Sequence, residues 1–208
     1  CAERVLTGTV LTGGVCACIV LSGTLVPGAD MSNNILSEAE LAGMELTVSL
    51  RTGVDLSGLD LSGTIITSVD LSGMDLTGTI LTGADMSNAI LNGVDLSGKD
   101  LTGTILTGAD LLNVDLTGTI LTRADLSHTN LTGVDLSDND LTQTILRRAD
   151  LSHTNFAGVD LIGVDLTGAR LVGVDLSGKD LTQTILINAN LENATLKNAK
   201  LLNANLDS

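Results

Sequence analysis

Residues 93–110 read GVDLSGKDLTGTILTGAD, and the placing of their leucines decides the fold. Leu96, Leu101 and Leu106 stand five residues apart. An α-helix repeats about every 3.6 residues and a strand every two, so neither holds these side chains on one side. A chain that turns a corner every five residues does hold them there, and four such corners close a square coil of about twenty residues. Working outward, every fifth residue from Leu56 to Leu206 is Leu, except Ile66, Met86 and Phe156. Backward the register runs through Leu46, Leu41, Leu36, Met31, Val26, Leu21, Cys16, Leu11 and Leu6, and only Arg51 breaks it.

The residues around each Leu fit the same geometry. Two places before it stands a small or β-branched residue, such as Ala84, Ala109, Val94, Val134, Thr104 or Thr144, expected to point inward. Directly before it Asp is the rule, as at Asp60, Asp95 and Asp100, expected to point to water. After it come Ser or Thr and often Gly, which suit a tight turn. A second period of forty residues overlies the first: GVDLSGLDLSGTIITSVD at 53–70 returns at 93–110, 133–150 and 173–190. Duplication of a two-coil unit explains it. From Ile187 onward Asn replaces Asp, at Asn190 and Asn205, and Lys197 and Lys200 appear, marking a less acidic end zone.

Composition agrees with a narrow, one-layer interior. The chain of 208 residues has no Trp, no Tyr and one Phe, so Leu supplies the bulk that aromatics usually give a core. Twenty-three Gly and a single Pro fit frequent turns, and collagen is excluded because Gly does not recur every third residue. The net charge of −15 repels nucleic-acid phosphate and favours basic protein partners.

The units ADLSH, VDLSG and ADLLN, and the closing run NANLENATLKNAKLLNANL, resemble the pentapeptide-repeat family, whose consensus is A-(D/N)-L-x-x. The resemblance implies an all-β fold, a right-handed quadrilateral β-helix of about ten coils forming a rod of roughly 50 Å. Residues 1–52 are expected to form degenerate N-terminal coils or a cap, with a bulge near 47–53 around Arg51. Residues 53–208 form the regular helix, in one continuous domain.

Several features bear on function. Asp55, Asp75, Asp95, Asp115 and Asp135 are expected to stack on one face about 4.8 Å apart, where repulsion raises some pKa values or draws cations. No loop gathers six or more oxygens for calcium, so neither a specific metal site nor a cofactor is expected. His128 and His153 are twenty-five residues apart, on adjacent faces, and read as surface turn residues rather than catalytic ones. Ile65, Ile80, Ile105, Ile120, Ile145 and Ile185 stand where Asp is the rule. They form a candidate interaction stripe on an acidic rod. The competing reading is that β-branched residues stabilise exposed strand positions. Cys1, Cys16 and Cys18 form no evident disulfide framework. A sequence that opens on Cys1 is expected to be a processed product. Residues 5–29 carry no charge, but their Thr and Gly dilute a membrane span, and membrane contact is expected nowhere else.

These readings point to a non-enzymatic scaffold that binds a protein partner or a larger complex. The family resemblance adds cyanobacterial and thylakoid-lumen members, hence a subunit of a photosynthetic assembly, in an organelle or the cytoplasm. It also adds an alternative, an acidic mimic of DNA that binds DNA gyrase or a related topoisomerase. Against that alternative, Phe156 is the one aromatic in the inward column, and no dimerising segment or projecting loop is visible.

Overall fold

In the computed structural model, residues 56–207 are described. The coils or cap expected over 1–52, the bulge expected around Arg51, the 5–29 segment, the three cysteines and Asp55 lie outside the described residues.

Each five-residue unit makes the same local structure for the same reason. Leu enters the interior, the next two residues form a turn, the fourth points inward again and the fifth lies extended against the neighbouring coil. The N–H of the fourth residue closes the turn on the Leu carbonyl, as from Thr64 to Leu61 at 3.1 Å and from Ala84 to Leu81 at 3.0 Å. The second turn residue has positive φ at every corner from Gly58 to Asn203, as a type II turn requires. Glycine meets that demand without strain at sixteen of these corners. The other fourteen are held there by the coil around them, and six of them are Asn, the side chain that tolerates this region best.

Coils stack in parallel, twenty residues apart. Bridges join Asp60 to Ile80, Ile65 to Asp85, Asp70 to Ile90 and Asp95 to Asp115, and recur along the rod, while steps such as Asp75 to Asp95, Asp115 to Asp135 and Ile145 to Asp165 carry none. A regular face shares three main-chain bonds per step: Leu61 N–H to Ile80 O at 2.9 Å, Ile80 N–H to Leu59 O at 2.9 Å, and Gly63 N–H to Thr82 O at 3.1 Å. The outward residues define four faces: the first holds residues 60 to 200, the second 65 to 205, the third 70 to 190 and the fourth 75 to 195, each in steps of twenty.

The interior is one continuous apolar column. Leu91, Leu96, Leu101, Leu121, Leu126 and Leu131 are completely buried, and Phe156 takes a Leu place without leaving it. Burial of each such side chain contributes very roughly 1.5–3 kcal/mol before entropy is subtracted. The inward threonines donate their hydroxyls to Leu carbonyls that also accept the turn-closing N–H: Thr79 to Leu56 at 2.9 Å, Thr119 to Leu96 at 2.9 Å and Thr144 to Leu121 at 2.8 Å on the previous coil, and Thr64 to Leu61 and Thr129 to Leu126 at 2.6 Å within their own turn. They are therefore buried without an unpaired polar group, which is what makes Thr admissible in this core. No helix among the described residues is long and apolar enough to cross a membrane.

Candidate functional site

The outward residue before each Leu does more than meet solvent. All twenty Asp and Asn residues at this place, from Asp60 to Asn205, accept the N–H two residues on through Oδ1, at 2.8–3.3 Å. This is an Asx turn, and it caps the corner that follows. Asn130, Asn155, Asn190 and Asn205 do it as Asp does. The requirement is a short side chain with a carbonyl-type oxygen, not a charge.

The capping overturns one electrostatic expectation. Asp75, Asp95, Asp115 and Asp135 do stand in a column on the fourth face, but the carboxyls of Asp75, Asp95 and Asp135 lie below their ordinary value rather than above it. The hydroxyl and N–H of Thr77 hold the Asp75 carboxyl below its ordinary value, and Ser97 does the same for Asp95. Asp75 pushes Asp95 upward more weakly than these hydrogen bonds pull it down. The Ser137 N–H and hydroxyl likewise hold Asp135 low. At Asp175 the hydroxyls of Ser177 and Thr195 and the Ser177 N–H lower the pKa to about 2. Bonds made inside each corner are shorter than the distance between corners, so they win.

Ile cannot cap. Ile65, Ile80, Ile105, Ile120 and Ile145 are 39–48% exposed, and Ile185 is half-buried. Ile90, on the third face, also stands at an outward place and is exposed, although the expected set did not include it. On the first and second faces Ile and Asp form a checkerboard. Ile80 and Ile120 alternate with Asp60, Asp100 and Asp140, while Ile65, Ile105 and Ile145 alternate with Asp85, Asp125 and Asp165. The two faces are out of step, so each coil from 60 to 145 carries one Ile and one Asp on this side. Ile80, Ile105, Ile120 and Ile145 thus each lie between carboxylates along their column, as in the bridges Asp85↔Ile105 and Ile105↔Asp125, and Ile65 lies beside Asp85.

His128 and His153 sit at exposed positive-φ corners of adjacent edges, as expected of turn residues. The His153 ring covers Gly173, where an added Cβ would come within 2.6 Å of it. All four arginines of the described residues lie between Arg123 and Arg170. Arg147 pairs with Asp165 at 2.6 Å and Arg170 with Asp150 at 3.1 Å, across neighbouring coils. Both guanidinium groups are more than half exposed, so each pair is worth about 0–1 kcal/mol. Among the described residues no three His, Cys, Asp or Glu side chains gather as a metal set.

Comparison with known proteins places this geometry. Among solved structures, HetL, a pentapeptide repeat protein involved in heterocyst differentiation regulation in the cyanobacterium Nostoc sp. strain PCC 7120, is 32% identical; the match covers 88% of this chain and 82% of that one, with a TM-score of 0.42. QnrB1, a plasmid-mediated fluoroquinolone resistance protein, is 19% identical over 71% of this chain and 87% of that one, with a TM-score of 0.40. A pentapeptide repeat protein of the Arabidopsis thaliana thylakoid lumen is 32% identical over 53% of this chain and 63% of that one, with a TM-score of 0.13. Comparison with curated protein sequences gives no significant match. The family model for pentapeptide repeats matches in eight copies, over residues 52–83, 70–108, 84–123, 109–148, 119–156, 144–178 and 180–208. The chain therefore belongs to the pentapeptide-repeat family, whose members form right-handed quadrilateral β-helices.

Proposed function

We propose that the protein is a non-enzymatic docking scaffold whose binding surface is the Ile and Asp checkerboard of the first and second faces. One observation carries the reading: Ile occupies a place where every Asp and Asn caps a turn. Each Ile forfeits that cap and exposes an apolar side chain, and within the chain only its strand preference offsets the loss. A partner surface offsets it further. The complementary partner is a protein that offers apolar side chains against Ile80, Ile105, Ile120 and Ile145, and basic groups against Asp85, Asp100 and Asp125. Membership of a larger assembly, such as a photosynthetic complex, is the finer form of this proposal.

The test is the double substitution Ile105→Asp and Ile145→Asp. It installs caps while removing the apolar contacts. Proteins recovered from the source organism by the native chain should be missing with the variant, while the variant unfolds at the same temperature or higher. Recovery of the same proteins by both chains sinks the proposal.

The column of Asp75, Asp95, Asp115 and Asp135 favours a second reading, mimicry of DNA phosphates toward gyrase. A supercoiling assay decides it, since a mimic inhibits or protects the enzyme and a scaffold leaves it unchanged.

A further inference from the structure

Along the fourth face the ladder between coils alternates. The steps 95 to 115, 135 to 155 and 175 to 195 are closed: Leu96 N–H donates to Asp115 O at 3.0 Å, Leu136 N–H to Asn155 O at 3.0 Å and Leu176 N–H to Thr195 O at 2.8 Å. The steps between them are open. Residues 73–81 share no main-chain hydrogen bond with 92–100, nor 113–121 with 132–140, nor 156–161 with 175–180. Each of these seams runs from the fourth face onto the first and returns after forty residues. The third face stays closed beside all three, from Leu71 N–H to Ile90 O at 2.8 Å, Leu111 N–H to Asn130 O at 3.1 Å and Leu151 N–H to Arg170 O at 2.8 Å.

One polar side chain stands in each seam. Lys99, Asn139 and Lys179 hold the place just before the outward Asp100, Asp140 and Asp180. At a closed step the outward N–H takes the carbonyl that this place offers on the previous coil, as Ile80 N–H takes Leu59 O and Ile120 N–H takes Lys99 O, both at 2.9 Å. At a seam a side chain takes that carbonyl instead. The Lys99 ammonium donates to Thr79 O and Leu76 O, Asn139 Nδ2 to Thr119 O at 2.9 Å and Leu116 O at 3.0 Å, and the Lys179 ammonium to Val159 O at 2.9 Å.

Side-chain length explains the exchange. In the same column the hydroxyls of Thr79 and Thr119 reach only a Leu carbonyl and leave the ladder closed. An ammonium or amide cannot stay unpaired among the leucines, and it reaches further, to where the next main-chain bond would form. The seam at Lys99 leaves a space of about 310 Å3 lined by Thr79, Gly98 and Lys99. One more break, from Leu141 to Asp160 and from Leu146 to Asp165, lies on the first and second faces and outside this pattern.

We propose that Lys99, Asn139 and Lys179 are wedges that divide the rod into two-coil blocks, each hinged to the next along the closed third face and opening at the edge between the fourth and first faces. Bending at a hinge changes the spacing of Ile80 from Asp100 and of Ile120 from Asp140, which face each other across seams, while Asp100 and Ile120 stay bridged. The hinges follow from the wedges and hold whether or not the Ile checkerboard docks a partner.

Amide hydrogen exchange on the full chain tests the seams. Leu76, Gly78 and Leu81 should exchange about tenfold or more faster than Leu96, Gly98 and Leu101, their bonded counterparts one coil on. Lys99→Thr, which supplies the residue of Thr79 and Thr119, should slow the first three to the rate of the second three and leave Leu116, Gly118 and Leu121 fast. Thr119→Lys should open a closed step and speed Leu96, Gly98 and Leu101. The bending itself is read from N–H residual dipolar couplings. Fitted separately to residues 95–121 and 135–161, they should give two alignment strengths, and Asn139→Thr should merge them into one. Equal exchange on the two coils of the native chain overturns the proposal. So does unchanged exchange of Leu76, Gly78 and Leu81 in Lys99→Thr, or one common alignment for both blocks of the native chain. Should Lys99→Thr fail to fold, Asn139→Thr carries the same comparison at Leu116, Gly118 and Leu121.

Discussion

The fourth face and the second face are built on the same coils, with the same inner leucines and the same turn, yet they are closed differently. On the fourth face Asp75, Asp95, Asp115 and Asp135 each accept a turn N–H. On the second face Asp85, Asp125 and Asp165 do so, and Ile65, Ile105 and Ile145 between them do not. The difference teaches that the outward residue has a structural duty that is separable from the surface it presents. A face of caps is explained by folding alone. A face that gives up alternate caps leaves that loss to be made up by the strand preference of Ile or by the proposed partner.

The comparison rests on a common core, and breaking that core should affect both faces at once. Leu126→Ala should cost about 2–5 kcal/mol, with equal loss of amide-exchange protection on both faces. Loss confined to one face would show that the coils do not act as a unit. The caps themselves come next. Asp125→Ala removes a cap from the second face and should cost about 1 kcal/mol in denaturant unfolding. Ile120→Asp adds one and should leave stability equal or higher. An Ile120→Asp chain clearly less stable than the native one would mean that Ile stabilises the exposed strand position.

Acid separates the faces further. The folded-state carboxyls of Asp75, Asp95 and Asp135 lie below their ordinary value, so the unfolded chain binds protons first as pH falls. Their contribution is complete above the unfolded carboxylate pKa of about 3.9 and fades as pH drops through the folded values. Melting temperature should therefore fall from about pH 4 downward. Asp95→Asn keeps the cap, as Asn130 and Asn155 do, but no longer titrates, and it should flatten that acid limb. An unaltered limb would show that the hydrogen bond does not depress the Asp95 pKa. The smallest effect is expected at a corner. Gln183→Gly relieves positive φ at a non-glycine residue and should gain about 0.5 kcal/mol, since added chain entropy offsets part of the 1–2 kcal/mol strain.

Much of this was legible in the leucines, because a period of five has one solution that keeps one side buried. The inward threonines were legible too, from size alone. The caps were not read, although a signal was present. Asn130, Asn155, Asn190 and Asn205 replace Asp at the outward place, and Glu never stands there between residues 60 and 205. Exchange of Asp with Asn but not Glu marks a side chain bonding its own backbone rather than a charge. Ile90 stands at the same outward place and was legible by the same rule. Where Lys99 and Asn139 send their donors, to Leu76 O and Leu116 O, could not be read, since it depends on the coil packed beneath them. Aligning Leu59, Lys99, Asn139 and Lys179 at the forty-residue step does single out the column, in which ammonium and amide side chains stand among Leu, Thr, Val and Ala.

Because faces recur every twenty residues, position on this rod works as an angle as well as a height. Inserting five residues at any corner would leave every leucine inside and every cap in place, yet turn all that follows through a quarter circle. Ile145 would then no longer stand above Ile105. Ten residues would turn it half round, and twenty would restore it one storey higher. Length changes in whole coils, of which the forty-residue duplication is an example, preserve the phase of the surface. Changes by single units would spare the fold and scramble whatever reads it.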